Sequence, residues 1–172
     1  EAEGYQTLIV NLRLYARWAD KWYDSARDVA SVLNPAIEEL EYSKVAGVIY
    51  IAGHVRCITG FADNTDVPTA ITHAYSDNPE TTSIMLDDVD GGYTLTKYLI
   101  DKGHTRIGFV GGQTDNKHTI RRLEGYRKAL DEAGIAYDES LVAFGDWERE
   151  SGASCMEKLM PSAPTAVFAI SD

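Results

Sequence analysis

The sequence predicts an α/β fold in which parallel sheets are flanked by helices. Three observations lead there. Short apolar runs alternate with longer amphipathic stretches along most of the chain, the rhythm of βαβ units. Runs such as VAGVIYI (45–51) and TAVFAI (165–170) are apolar throughout rather than alternating, as strands covered on both faces are. Lys102-Gly103 and Gly134 close two of the periodic segments, and glycine is the residue best suited to the turn that ends a helix.

Taken in order, residues 6–11 (QTLIVN) read as a buried strand. Residues 24–42 read as a helix, with Ala26, Val29, Leu33, Ile37 and Leu40 at spacings of three and four. Pro35 interrupts that pattern. It removes a backbone donor and is expected to kink the helix or split it near Asn34. The next strand is 45–51, followed by a polar segment through His54 and Arg56. Residues 67–72 (VPTAIT) form another strand with Pro68 near its start, then a loop over 73–82 marked by Asp77-Asn78-Pro79. A short strand over 83–88 (SIMLDD) leads to a helix opening at Gly91-Gly92 and running through Ile100. Residues 106–110 (RIGFV) form a strand ending in Gly111-Gly112. The clearest helix is 119–133, with Leu123, Tyr126 and Leu130 on one face. A strand (141–145), a helix (148–160) and a last strand (165–170) complete the series.

The chain has 172 residues, 44% hydrophobic and 25% charged, with a formal net charge of −11. That acidity argues against direct nucleic-acid binding by this segment, because phosphate contacts need clustered Lys and Arg. No apolar run reaches the length of a membrane-spanning helix. Cys57 and Cys155 lie far apart with no CxxC spacing, so they read as ordinary thiols of a reducing compartment.

From Val45 onward the blocks VAGVIYIAG, DVPTAITHAY, SIMLDDVDGGYTLTKYLIDKGHTRIGFVGG, RRLEGYRKALDEAGI, LVAFGDWERESG and PTAVFAISD resemble the lac-repressor-type (LacI/GalR) transcription regulators. Each block is weak alone; their order and spacing together are specific. Residues 1–11 fit as the end of a first helix and a second strand, whereas 12–44, with Trp18 and Trp22, is longer than the family pattern. The resemblance implies a two-lobe fold like that of the periplasmic sugar-binding proteins, with a small effector, a sugar or sugar derivative, in the cleft between lobes. Residues 1–88 would form most of the N-terminal lobe and 89–172 part of the C-terminal lobe. It further implies a helix-turn-helix headpiece before Glu1, the rest of the second lobe after Asp172, operator DNA as partner, a homodimer and a cytoplasmic location.

The same resemblance marks candidate ligand residues. Trp147 in GDW matches a family aromatic, and an indole at a strand's end is suited to stack on a sugar face. Arg122 matches the family arginine that reaches into the cleft; its guanidinium offers donors in a rigid fork. Asn116 and His118 lie in the loop after Gly111-Gly112, where His118 reads equally as a ligand donor or an exposed loop residue. Asp87 is assigned to the cleft, as a carboxylate able to take two hydroxyl protons. Its neighbour Asp88 is assigned a structural role as a helix cap. Ser171 and Asp172 end the last strand where the family often touches its effector, with Ser171 in place of the commoner Asn. Tyr75 reads either as a residue lining the cleft from the first lobe or as a plain loop tyrosine.

Enzyme chemistry is not indicated. Asp87 and Asp88 are adjacent, so on a strand they point to opposite faces and cannot flank one bond. Gly111-Gly112 lacks both the dinucleotide and the phosphate-loop spacing. No cofactor is implied, and His118 has no second His or Cys at metal-ligand spacing. The competing reading is a secreted sugar-binding protein of a transport system, which shares the fold. The RRLEGYRKALDEAGI and GHTRIGFVGG blocks favour the regulators.

Overall fold

The computed structural model describes residues 4, 6–17 and 28–171. The chain divides into two compact units, Glu1–Met85 and Leu86–Asp172. Trp18, Trp22 and Asp172 lie outside the described residues.

In the first unit, a short helix α1 (Leu14–Arg17) precedes α2 (Ala30–Tyr42). The strands β1 (Val48–Ile51), β3 (Thr69–Thr72) and β5 (Thr82–Ile84) form a parallel sheet in that order. A parallel pair, β2 (Cys57–Ile58) and β4 (Tyr75–Ser76), stands beside it. α2 buries Ala30, Leu33 and Ile37 against Ile58, Phe61, Ile71 and Ala74, the stripe that its spacing of three and four predicts. α2 runs unbroken through Pro35, so the expected split near Asn34 does not occur. Pro35 and Ser31, whose carbonyl loses the proline donor, are both exposed, so that carbonyl faces water. The Asn34 side chain also ties the helix down, donating to Gly60 O (2.7 Å) and accepting from Ala62 N (3.0 Å).

Residues 6–11 are not a strand. Leu8, Ile9 and Val10 are exposed, and none of the sheets includes this segment. An apolar run becomes a strand only where a neighbouring edge meets its backbone groups. The opposite departure occurs at β2 and β4: β4 falls in the segment expected to be a loop and β2 just past the polar segment through Arg56, and they form because their backbones pair with each other. Pro68 lies just ahead of β3, where its carbonyl accepts from Val48 N (2.9 Å).

The second unit comprises α3 (Asp88–Asp101), β6 (Ile107–Gly111), α4 (Lys117–Glu132), β7 (Val142–Phe144), α5 (Arg149–Leu159) and β8 (Ala166–Ala169). Its sheet is parallel, ordered β7-β6-β8. From β6 the chain passes through α4 to one neighbour and then through α5 to the other, so the connections reverse direction at β6. Such a reversal opens a crevice at the C-terminal strand ends, where ligands bind in open α/β sheets.

The faces of β6 explain the layers. Ile107 and Phe109 pack with Tyr126 and Leu130 of α4, and Phe109 meets Tyr126 and Phe168 at ring-centroid distances of 5.3 and 5.2 Å. On the other face, a Cβ at Gly108 would lie 3.2 Å from Leu159 of α5. α3 and α4 come together at two glycines. A Cβ at Gly92 would run into the Arg122 carbonyl oxygen, and one at Gly125 into that of Val89. Replacing Gly125 by Ala therefore forces two backbones apart; we expect a loss of about 1–3 kcal/mol or more, read as a lower melting temperature, despite alanine's better helix propensity.

Tyr126 is fully buried and donates its hydroxyl to Ile107 O (2.8 Å). Burial, with Tyr137 and Asp138 adding to it, pushes this phenol up to about 12. A raised phenol favours the neutral form in the fold. Its contribution is complete below the ordinary value of 10.0 and is lost as pH rises toward about 12. Tyr126→Phe should cost about 1 kcal/mol at neutral pH and flatten the alkaline stability profile between those values in urea melts. An unchanged profile would show that Tyr126 does not carry it.

Candidate functional site

The C-terminal ends of β6, β7 and β8 and the first turns of α3 and α4 supply the site in the second unit. Asp87 is the N-cap of α3, accepting from Asp90 N (3.2 Å). The capping role expected of Asp88 thus belongs to Asp87. The helix begins three residues before the expected Gly91, because the carboxylate of Asp87 satisfies an otherwise orphaned donor. Asp87 is exposed, and its Oδ1 lies 3.8 Å from Arg121 Nη2. An exposed pair at that distance contributes little.

Asp88 is buried instead, its side chain 1% exposed. Its Oδ2 lies 2.6 Å from His118 Nδ1, and its Oδ1 accepts from Arg122 Nε at 2.8 Å. Arg122 also donates from Nη1 to Ile170 O (2.5 Å). His118 and Arg122 are four residues apart on α4 and therefore share a face.

Asn116 and His118 do not lie in a loop, as expected; they start a helix. Asn116 caps α4, its Oδ1 accepting from His118 N (2.9 Å) and Thr119 N (3.4 Å). Both residues are buried, His118 at 6% exposure, which excludes the exposed-loop alternative. α4 begins two residues earlier than expected because the cap is Asn116.

Trp147 follows β7 and is half-buried. Its indole lies against Gly112, where a Cβ would come within 2.8 Å of Cζ2. Thr119 Oγ1 borders the same glycine; it is buried and makes no hydrogen bond among the described residues. The Asp146 carboxyl is held below its usual range by the Ser151 hydroxyl and then by the Glu148 amide, which fixes the turn carrying Trp147. Ser171 is exposed directly after Ile170, whose carbonyl takes the Arg122 bond.

The structure thus gathers Arg122 and His118 on Asp88, with Asn116 at the start of the same helix and Ser171 beside the Arg122 acceptor. Trp147 stands over Gly112 at the end of β6. Tyr75 belongs to the other unit, in β4, with its amide donating to Arg56 O (3.1 Å). Burial first, and Cys57 second, raise its phenol. Asp88 was legible only as a helix cap, because its two partners are 30 and 34 residues away. Thr119 carries no sequence signal beyond its place in the α4 start. Together the site offers an aromatic face, a guanidinium held in place and a buried imidazole, a set suited to polar ring compounds. Among the described residues no helix is long and apolar enough to cross a membrane.

Residues 25–172 match the family model described as periplasmic binding proteins and sugar binding domain of the LacI family. A regulator from Thermobifida fusca, the HTH-type transcriptional regulator CelR, is 34% identical over 86% of this chain and 48% of its own length. The HTH-type transcriptional repressor PurR of Pasteurella multocida is 38% identical over 79% of this chain and 42% of its own. The chain therefore spans about half or less of the length of these relatives. Among solved structures, a CelR–cellobiose complex aligns with a TM-score of 0.58 at 30% identity, over 81% of this chain and 44% of that one. A LacI-family sugar-binding regulator from Escherichia coli, complexed with phosphate, aligns with a TM-score of 0.61 at 26% identity over 81% of this chain and 52% of that one. The fold and the sequence blocks agree with these matches: the chain belongs to the family of periplasmic binding proteins and LacI-type sugar-binding domains.

Proposed function

We propose that this chain is the effector-binding region of a LacI/GalR-type transcription regulator and takes a sugar at the C-terminal ends of β6, β7 and β8. The observation that carries this is Trp147, seated on Gly112 at those strand ends, on the same sheet edge as the Ile170 carbonyl that receives Arg122. An aromatic face beside a fixed array of donors suits a polyhydroxylated ring. A related regulator is described in complex with cellobiose, which makes β-linked glucosides the first class to try.

In this reading the first unit is the N-terminal lobe and the second is part of the C-terminal lobe. The protein works as a homodimer in the cytoplasm, and operator DNA is met by a separate helix-turn-helix headpiece. The net charge of −11 supports that division of labour, since an acidic segment is repelled by phosphate. The relatives are named as HTH-type regulators, not enzymes. The effector alters DNA affinity only through its differential affinity for two conformations.

Titration of the parent and of two variants tests the ligand site. Titration with cellobiose, related glucosides and a purine base, followed by tryptophan fluorescence, should give saturable binding to a sugar. Trp147→Ala should weaken that sugar tenfold or more, about 1.4 kcal/mol; unchanged affinity would remove Trp147 from the site. Gly112→Ala should shift the emission and weaken binding without touching the ligand, because its methyl displaces the indole. Exclusive binding of the purine would replace the sugar reading. A signal peptide in place of a headpiece in the parent coding region would turn the protein into a secreted binding protein.

A further inference from the structure

We propose that Asp88 is a positioning residue for the effector site: one buried carboxylate sets the ring orientation and tautomer of His118 and the plane of the Arg122 guanidinium. The inference rests on the reading of that site as the ligand site, and goes beyond it by naming what holds two of its side chains in place.

Three facts carry it. The close approach of α3 and α4 at Gly92 and Gly125 brings the first turn of α3 against the face of α4 that presents His118 and Arg122. The Asp88 side chain is 1% exposed, and each of its oxygens has one partner, His118 Nδ1 at 2.6 Å and Arg122 Nε at 2.8 Å. Arg122 is held again at Nη1 by Ile170 O. Two fixed nitrogens on a planar group leave no rotation of the guanidinium.

The chemistry follows from the donor and acceptor inventory. An ionised carboxylate only accepts. Arg122 Nε always carries a proton, and it supplies the positive charge that makes burial of the carboxylate tolerable. His118 must place a proton on Nδ1 to meet Oδ2, so Asp88 holds that proton on Nδ1, which in the neutral imidazole is the Nδ1–H tautomer, and orients the ring. Metal-binding histidines are commonly oriented by a carboxylate in the same way. Because both Asp88 oxygens are engaged internally, its contribution to recognition passes through the side chains it holds.

Asn at this position separates the proposal from simple packing. A carboxamide has nearly the same shape but only one acceptor oxygen. It cannot accept from both Arg122 Nε and His118 Nδ1. With its oxygen on Arg122, its NH2 faces Nδ1, and the imidazole must move its proton to Nε2.

The test uses the full chain, with nitrogen NMR of the imidazoles assigned by difference against His118→Gln, and fluorescence titration with cellobiose. In the parent, His118 is expected as the Nδ1–H tautomer and Arg122 Nε–H as slowly exchanging. Asp88→Asn should shift His118 to Nε2–H, speed exchange at Arg122 Nε and weaken cellobiose at least tenfold. Asp88→Glu should restore part of all three. An Nε2–H tautomer in the parent, or an unchanged tautomer and exchange rate in Asp88→Asn, overturns the proposal. So does a flipped tautomer with undiminished cellobiose affinity, since Asp88 would then shape the ring without serving the site. If Asp88→Asn fails to fold, the parent tautomer and the Asp88→Glu titration decide. If the parent itself does not bind cellobiose, the cellobiose reading fails, and the imidazole and exchange measurements still decide whether Asp88 fixes the two side chains.

Discussion

Gly92 and Gly125 let the backbones of α3 and α4 meet with no side chain between them, and most of what the second unit presents follows from that contact. The helices approach closely enough for Asp88, at the first turn of α3, to reach two residues of α4. A larger residue at either glycine would separate the helices and leave a buried carboxylate facing a gap. An unpaired buried charge costs several kcal/mol, so the glycines and the carboxylate are coupled choices. The same approach seats α4 over β6, where Tyr126 donates to Ile107 O beneath the site.

Sheet topology supplies the second constraint. β6 is flanked by β7 and β8, which the chain reaches through helices on opposite faces. The strand ends therefore open toward one edge, and the residues that follow them, Gly112, Asp146-Trp147 and Ser171, collect there. Small residues make the collection possible. Gly111 lies under the Phe144 ring and Gly112 under the Trp147 indole. The apolar pieces of the site thus rest on backbone, while its polar pieces rest on Asp88.

The alternating rhythm of apolar runs and amphipathic stretches was enough to place β1, β3, β6, β7 and β8 and the helices α2 to α5, because burial on a helix or a parallel sheet is periodic in the sequence. It failed where formation depends on a distant partner. Residues 6–11 have the composition of a strand but no pairing strand among the described residues, whereas β2 and β4 are two-residue strands made only by their pairing. Helix starts were missed by two or three residues at α3 and α4 because capping is decided by which carboxylate or amide oxygen folds back. Asp87 and Asp88 both qualify on paper, and only the geometry shows that the first caps and the second is buried. Trp147 and Arg122 were legible through family blocks. The link from Asp88 to His118 and Arg122 was not, since contacts across 30 and 34 residues leave no local pattern.

Arg122 joins three elements at once: it sits on α4, bonds Asp88 of α3, and bonds the Ile170 carbonyl after β8. A ligand that draws the guanidinium must either move with this frame or strain both of its bonds. Packed interiors yield poorly to small displacements, so the first course is the cheaper one. A ligand taken at the proposed site would then meet the frame around Arg122 as one piece rather than a locally yielding side chain. Binding energy gained at Arg122 would be shared among α3, α4 and the end of β8 rather than absorbed by one side chain.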